Sequence, residues 1–249
     1  MSPAPISLAA GEVHVWHTEL TTGETVLTDA RRMLSDDERE RASRFRLPGL
    51  ENTFTAAHAF LRQVLGAYLA VEPADVRFRY TVLGKPELAD CSDLGFNLSH
   101  SGHLGAIAVA RRRAVGIDIE IFRDNLDVMD LARRFFAPGE WKRIEALPLE
   151  QRPPLFFTLW TCKEAYLKAR GIGLTGALDD FEVSPSNETD CVEFRSLSAG
   201  DIGIWTLRRL HLDSRAAAAV AVEGCGLRIR CAPWSPNPMA PTTLAAGRL

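Results

Sequence analysis

The sequence predicts an α+β (α/β) fold built from two similar halves, and three observations carry that prediction. Strand-like runs of period two alternate with segments whose apolar residues recur at helical spacing. The order strand, helices, strands occurs once before Arg111-Arg112-Arg113 and begins again after it. Apolar residues make up 46% of the 249 positions and charged residues 24%, enough for one large core or two smaller ones and too apolar for a disordered chain. The repeat is one of element order, without an evident sequence repeat. The predicted organisation is an N-terminal half over residues 1–112, a C-terminal half over 113–231 and a Pro-rich tail over 232–249.

Val13 and Val15 alternate with polar neighbours as an opening strand, followed by a turn-rich stretch. Ser35 then suits an N-cap, with Glu38 three residues on completing a capping box. A second helix is predicted over 52–69, where Phe54, His58, Leu61, Leu65 and Leu69 share a face. A strand over 76–82 is broken by a turn at Leu83-Gly84-Lys85-Pro86. Two strands follow, a short one over 96–98 and a buried one over 103–110. The second half is predicted to hold a strand over 115–120, helices over 126–136 and 154–170, and strands over 181–183, 192–194, 204–210 and 216–222. Residues 232–249 show no periodicity and are expected to fray.

The balance of 29 basic against 32 acidic residues gives a net charge of −3, which excludes polycation-driven nucleic-acid binding as a first idea. No stretch approaches the ~20 apolar residues that span a bilayer, and no Lys or Arg precedes the weak apolar run of 1–11, so neither membrane insertion nor secretion is expected. Five scattered cysteines without a Cys-x-x-Cys pair fit free thiols in a reducing cytoplasm.

In Val115-Gly116-Ile117-Asp118-Ile119-Glu120, alternation places Gly116, Asp118 and Glu120 on one face. Two adjacent carboxylates call for a metal, a proton or a basic partner, and hard oxygen ligands suit Mg²⁺ with phosphate oxygens. A solvated edge strand would look the same. In Trp160-Thr161-Cys162-Lys163-Glu164-Ala165-Tyr166-Leu167-Lys168, the residues Trp160, Glu164 and Lys168 share a helical face. They are either a surface Glu–Lys pair or a third carboxylate beside an ammonium that neutralises phosphate. Phe96-Asn97-Leu98-Ser99-His100-Ser101-Gly102 offers donors to an anion, although a lone histidine is more often structural. Gly84-Lys85-Pro86 adds a lysine at a rigid turn. No Walker loop, Gly-x-Gly-x-x-Gly fingerprint, His-Glu-x-x-His or Gly-x-Ser-x-Gly elbow is present.

These four motifs, in this order, resemble the signatures of the surfactin-type (Sfp-like) 4'-phosphopantetheinyl transferases, from about Ser35 to Leu174 and including Arg134-Phe135-Phe136. The resemblance implies the 4'-phosphopantetheinyl transferase fold: two α/β halves related by pseudo-twofold symmetry in a monomer, with the active site between them. It implies transfer of the phosphopantetheine arm of coenzyme A to a serine of an acyl, peptidyl or aryl carrier protein, with release of 3',5'-ADP. The implied pathways include polyketide and nonribosomal peptide biosynthesis. Asp118, Glu120 and Glu164 would bind Mg²⁺, with Mn²⁺ as a substitute. Lys168 would contact phosphate, Glu164 would take the serine proton, and Lys85, Ser99 and His100 would hold the nucleotide and its phosphates. Where the family uses lysines on the first helix for the 3'-phosphate, this sequence has Glu38 and Arg41, so Arg41, Arg44 or Arg46 is expected to supply the charge. The carrier is expected to dock between Phe122 and Trp141, where Arg133, Arg134, Phe135 and Phe136 lie, although both phenylalanines also suit a core. A Mg²⁺-dependent phosphodiesterase or pyrophosphatase acting on a coenzyme A-like diphosphate would use a similar residue set. So would a non-catalytic coenzyme A-binding module, and both remain alternatives at this point.

Overall fold

A computed structural model describes residues 6–172, 178–186, 188–197, 203–235 and 245–246. The chain opens with β1 (Glu12–Glu19), whose Val13 and Val15 point to one side of the sheet and Trp16 to the other. Helices α1 (Glu24–Met33), α2 (Asp36–Ser43) and α3 (Leu50–Leu69) follow. α1 occupies the stretch expected to be turns. Gly23 precedes it without a capping side chain, so no N-terminal signal announces it, and it is held by burying Leu27 and Ala30. α2 starts where the capping box places it: Ser35 Oγ accepts the Glu38 N–H at 3.3 Å, and the Glu38 carboxylate accepts the Ser35 N–H at 2.9 Å.

The strand expected over 76–82 shortens to β2 (Phe78–Tyr80) and follows a 3₁₀ turn over Pro73–Asp75. Pro86, expected only to break that strand, opens β3 (Pro86–Leu88), the first position of a strand being one a proline tolerates. The remaining elements are β4 (Leu94–Ser101), β5 (Leu104–Arg111), β6 (Val115–Ile121), α4 (Val128–Phe135), α5 (Pro138–Glu145), α6 (Arg152–Arg170), β7 (Phe181–Pro185), β8 (Cys191–Ser196), β9 (Trp205–Leu210), β10 (Ala216–Glu223), β11 (Arg228–Pro233) and β12 (Ala245–Ala246). α5 is a further addition to the expected set. No helix among the described residues is long and apolar enough to cross a membrane.

Two five-stranded sheets result, ordered β12-β11-β1-β5-β4 and β6-β10-β9-β8-β7. One face of the first sheet packs on α3 through Trp16, Phe96, Ile107 and Leu61. One face of the second packs on α6 through Val183, Ala219 and Ala221. The other faces meet each other through small and β-branched residues, among them Val13, Val15, Ala108, Ile117 and Val220. The layers are therefore helix, sheet, sheet, helix, and alternation along each strand assigns its residues to the inner or outer core.

The order of elements does not divide cleanly at Arg112–Arg113. β11, within the expected C-terminal half, returns to the first sheet and pairs in parallel with β1. It runs past the expected boundary to Pro233, and Trp234 packs at 5.2 Å on Trp16 and donates its backbone N–H to His17 O. The start of the Pro-rich tail is thus built into the first sheet. Residues 236–244 and 247–249 of that tail lie outside the described residues, as does Leu174.

Candidate active site

The site lies where the edge strand β4 of the first sheet meets the edge strand β6 of the second. Side chains of β4 do the work of a partner backbone. Asn97 Oδ1, Ser99 Oγ and Ser101 Oγ accept the N–H groups of Ile117, Ile119 and Ile121 at 2.9, 3.3 and 3.1 Å. An edge N–H in the interior without an acceptor is costly, so this ladder of short polar residues two apart fixes the register of the two strands.

On the opposite face of β6, α6 comes unusually close. A Cβ at Gly116 would lie 2.1 Å from Ala165 O and 2.3 Å from the Ala169 nitrogen, so only glycine permits this packing. The approach brings Glu164 and Lys168 of α6 to Asp118 of β6. Lys168 Nζ lies 2.5 Å from Asp118 Oδ1 and 3.0 Å from Ser99 Oγ. Lys168 therefore reaches across to Asp118, and the surface Glu164–Lys168 pair that helical spacing allowed does not form. Ser99 donates to Asp118 Oδ1 at 2.9 Å.

Asp118 is 3% exposed and Glu164 7% exposed. Asp118 Oδ2 and Glu164 Oε1 are buried without a hydrogen-bond partner. Burial pushes the Glu164 carboxyl up to about 7, helped by the negative charges of Asp118 and Glu120 and opposed by Lys168. Burial likewise raises Asp118, against the pull of Lys168. Glu120 has turned aside and accepts from Ser101 at 2.8 Å and from Arg123 at 3.0 Å.

Buried oxygens without a donor, on a strand and the helix packed against it, are what a cation would satisfy. Among the described residues no three His, Cys, Asp or Glu side chains form a closed metal cage. Mg²⁺ does not require one, since it commonly takes one or two carboxylates and completes its shell with water and substrate phosphate. The donor set of Asp118 and Glu164 fits such an ion, and Glu120 would have to leave Arg123 to join them.

The other predicted site residues divide. His100 is exposed beside the site, and partial loss of water, then His58 and Lys168, holds its imidazole below the ordinary value. Ser99 is fully engaged within the protein: its hydroxyl donates to Asp118 and accepts from Ile119 and Lys168. Lys85 is engaged as well. Its Nζ donates to Val115 O, Lys168 O and Ala169 O at 3.2, 2.7 and 2.8 Å, which accounts for all three ammonium hydrogens.

Of the three arginines, Arg41 lies with its guanidinium 5.6 Å from the Phe54 ring, which stacks on His58 at 3.9 Å. Arg44 pairs with Glu40 on the exposed side of α2, and Arg46 is exposed in the following loop. Glu38 does not face the site. It is 2% exposed, receives Arg62 Nε at 2.7 Å and lies 2.9 Å from His58 Nδ1. Although burial opposes it, His58, the Ser35 N–H and Arg62 bring its carboxyl down to about 2.

Sequence reasoning passed over Lys163, one residue before Glu164. It is fully buried, bridges Glu140 at 2.7 Å and donates to Leu178 O and Phe181 O. Glu140 in turn accepts the Ala137 and Val183 N–H groups. This pair ties α5 and β7 to α6, and no spacing rule links residues 23 apart. Between Phe122 and Trp141, Phe136 is a core residue stacked on Phe156 at 5.2 Å. Phe135 is half-buried under the Arg134 guanidinium at 5.0 Å, and Arg133 pairs with Glu145.

Residues 114–221, which span β6 to β10, match the family model of the 4'-phosphopantetheinyl transferase superfamily. The chain is 43% identical over 238 residues to the 4'-phosphopantetheinyl transferase HetI of Nostoc sp., with 94% of each chain covered. It is 34% identical over 188 residues to the putative 4'-phosphopantetheinyl transferase slr0495 of Synechocystis sp., covering 75% of each. To the 4'-phosphopantetheinyl transferase Sfp of Bacillus subtilis it is 31% identical over 150 residues, covering 60% of this chain and 66% of that one. With a match of that extent to HetI and the carboxylate–lysine junction inside the segment the family model covers, this chain belongs to the 4'-phosphopantetheinyl transferase superfamily.

Proposed function

We propose that this protein transfers the 4'-phosphopantetheine arm of coenzyme A to a serine of an acyl, peptidyl or aryl carrier protein, releasing 3',5'-ADP. The observation that carries the reading is the buried pair of partnerless oxygens, Asp118 Oδ2 and Glu164 Oε1, beside the Lys168 ammonium. In the reaction the serine Oγ bonds to the β-phosphorus of coenzyme A, the bond from that phosphorus to 3',5'-ADP breaks, and the serine proton must be removed. Glu164 is the group placed to take that proton, directly or through a water. Lys168 offers positive charge to the phosphates and to the departing oxygen. Arg41 offers positive charge for the nucleotide phosphates, and His100, held below its ordinary value, offers a neutral imidazole beside the site.

Asp118 and Glu164 would hold Mg²⁺, with Mn²⁺ as a substitute and Glu120 joining on release from Arg123. When bound, the metal neutralises pyrophosphate charge. The ladder from Asn97, Ser99 and Ser101 keeps Asp118 in place, and Lys168 is oriented by its contacts with Asp118 and Ser99. The exposed arginines of α4 supply positive charge for an acidic carrier helix. The reading includes a monomer, supported by the presence of both sheets in one chain, and the cytoplasm, supported by five unpaired cysteines.

The test is the release of 3',5'-ADP from coenzyme A and Mg²⁺ with and without an apo carrier protein. Release that depends on the carrier, one molecule per carrier, is expected. Equal release without carrier would make the protein a phosphodiesterase, and binding without release would make it a coenzyme A-binding module.

A further inference from the structure

We infer that Lys85 is a positioning residue that fastens the last turn of α6 to the start of β6, and thereby sets Lys168 against Asp118. The last four carbonyls of a helix have no partner within it, and the helix dipole places negative charge there. Lys85 adds to the Gly171 cap, whose N–H donates to Lys168 O at 3.1 Å, from outside the second half. Its ammonium donates to Lys168 O and Ala169 O on α6 and to Val115 O at the first residue of β6. The three distances lie between 2.7 and 3.2 Å, and a tetrahedral ammonium supplies three hydrogens.

The turn that carries Lys85 is itself fixed. Gly84 donates to Thr81 O at 2.9 Å, and Lys85 N–H donates to Thr81 Oγ1 at 3.0 Å. The α6 end is shaped to receive the side chain. Gly171 closes the helix with φ +69°, and a Cβ there would stand 3.2 Å from Lys85 Cδ. Lys85 holds the backbone of Lys168, whose side chain reaches Asp118 and Ser99. A loosened last turn would therefore move the ammonium away from the carboxylates without removing a substrate contact. The inference rests on the transferase reading for what Lys168 and Asp118 do, while the clamp itself rests on geometry.

The experiment compares wild type, Lys85→Met and Lys85→Arg by amide hydrogen exchange and by steady-state transfer from coenzyme A to an apo carrier. For Lys85→Met, amides of the last α6 turn should exchange at least about tenfold faster. kcat should fall about tenfold to a hundredfold, with KM for coenzyme A within about threefold. Lys85→Arg should behave the same way, because a planar guanidinium cannot replace a three-pronged ammonium, whereas it would serve well as an anion contact. If Lys85→Met does not fold, Lys85→Arg alone carries both readouts. Unchanged exchange with a raised KM, rescue by arginine, or faster exchange with unchanged kcat would each overturn the inference. Failure of the wild type to transfer would instead refute the transferase reading, and the exchange data would still decide the clamp.

Discussion

Glu164 combines burial, a carboxyl near 7 and an oxygen without a partner, and these fix the sign of its pH behaviour. An acid whose folded pKa lies above its unfolded value binds its proton more tightly in the folded state. Its contribution to stability is present below about 4.5 and is lost as pH rises through about 7. The difference corresponds to at most about 3 kcal/mol. Without metal, Glu164→Gln should therefore be more stable than wild type at pH 8, by about 1–3 kcal/mol, with a flatter profile between pH 5 and 8 in urea titrations. Mg²⁺ should raise the thermal midpoint of wild type at pH 8 and leave that of Glu164→Gln nearly unchanged. A variant less stable than wild type at pH 8 would contradict the burial argument. At this scale the sequence was legible where chemistry and spacing coincide. Asp118 and Glu120 alternate on a strand, and Glu164 and Lys168 stand four apart on a helix. The hydrogen bonds of the Lys85 and Ser99 side chains were not legible, because their partners lie 19 to 84 positions away along the chain.

Among the elements, the junction of β6 with α6 depends on the missing side chain at Gly116. Gly116→Ala would force a methyl onto Ala165 O and the Ala169 nitrogen, both backbone atoms that cannot swing aside. We expect a loss of about 1–3 kcal/mol in thermal or urea denaturation, with transfer reduced more than stability because α6 shifts relative to Asp118. Asn97→Ala tests the ladder on the other side of the strand. It leaves the buried Ile117 N–H without an acceptor, at a cost of about 1–3 kcal/mol. Activity of Gly116→Ala equal to wild type would refute the positioning role of this contact. β6 and α6 were readable from period two and period 3.6. α1 was not, since Gly23 gives no cap and only Leu27 and Ala30 are buried. α5 was missed although Pro138 and Glu140 stand where a helix start places them.

For the whole molecule, the helix–sheet–sheet–helix layering puts the site at a junction that neither sheet forms alone. Element order anticipated a mixed fold of helices and sheets. It did not anticipate that β11 would cross back and pair with β1, because parallel pairing over 200 residues leaves no local pattern. The return strand makes a prediction. Truncation after Gly226 removes the parallel partner of β1 and the Trp234 contact with Trp16, so the protein should lose cooperative unfolding or precipitate. A cooperative transition at the wild-type temperature in circular dichroism would count against a structural role for that segment.

The most direct test of the central claim is intact-mass spectrometry of an apo carrier protein incubated with coenzyme A and Mg²⁺. Wild type, Glu164→Gln and Asp118→Asn would be run side by side, with a chelated control. The account predicts that wild type adds one phosphopantetheine to the carrier, and that either substitution or removal of the metal abolishes the gain while the variants remain folded. Full modification by Glu164→Gln, or none by wild type across acyl, peptidyl and aryl carriers, would contradict it.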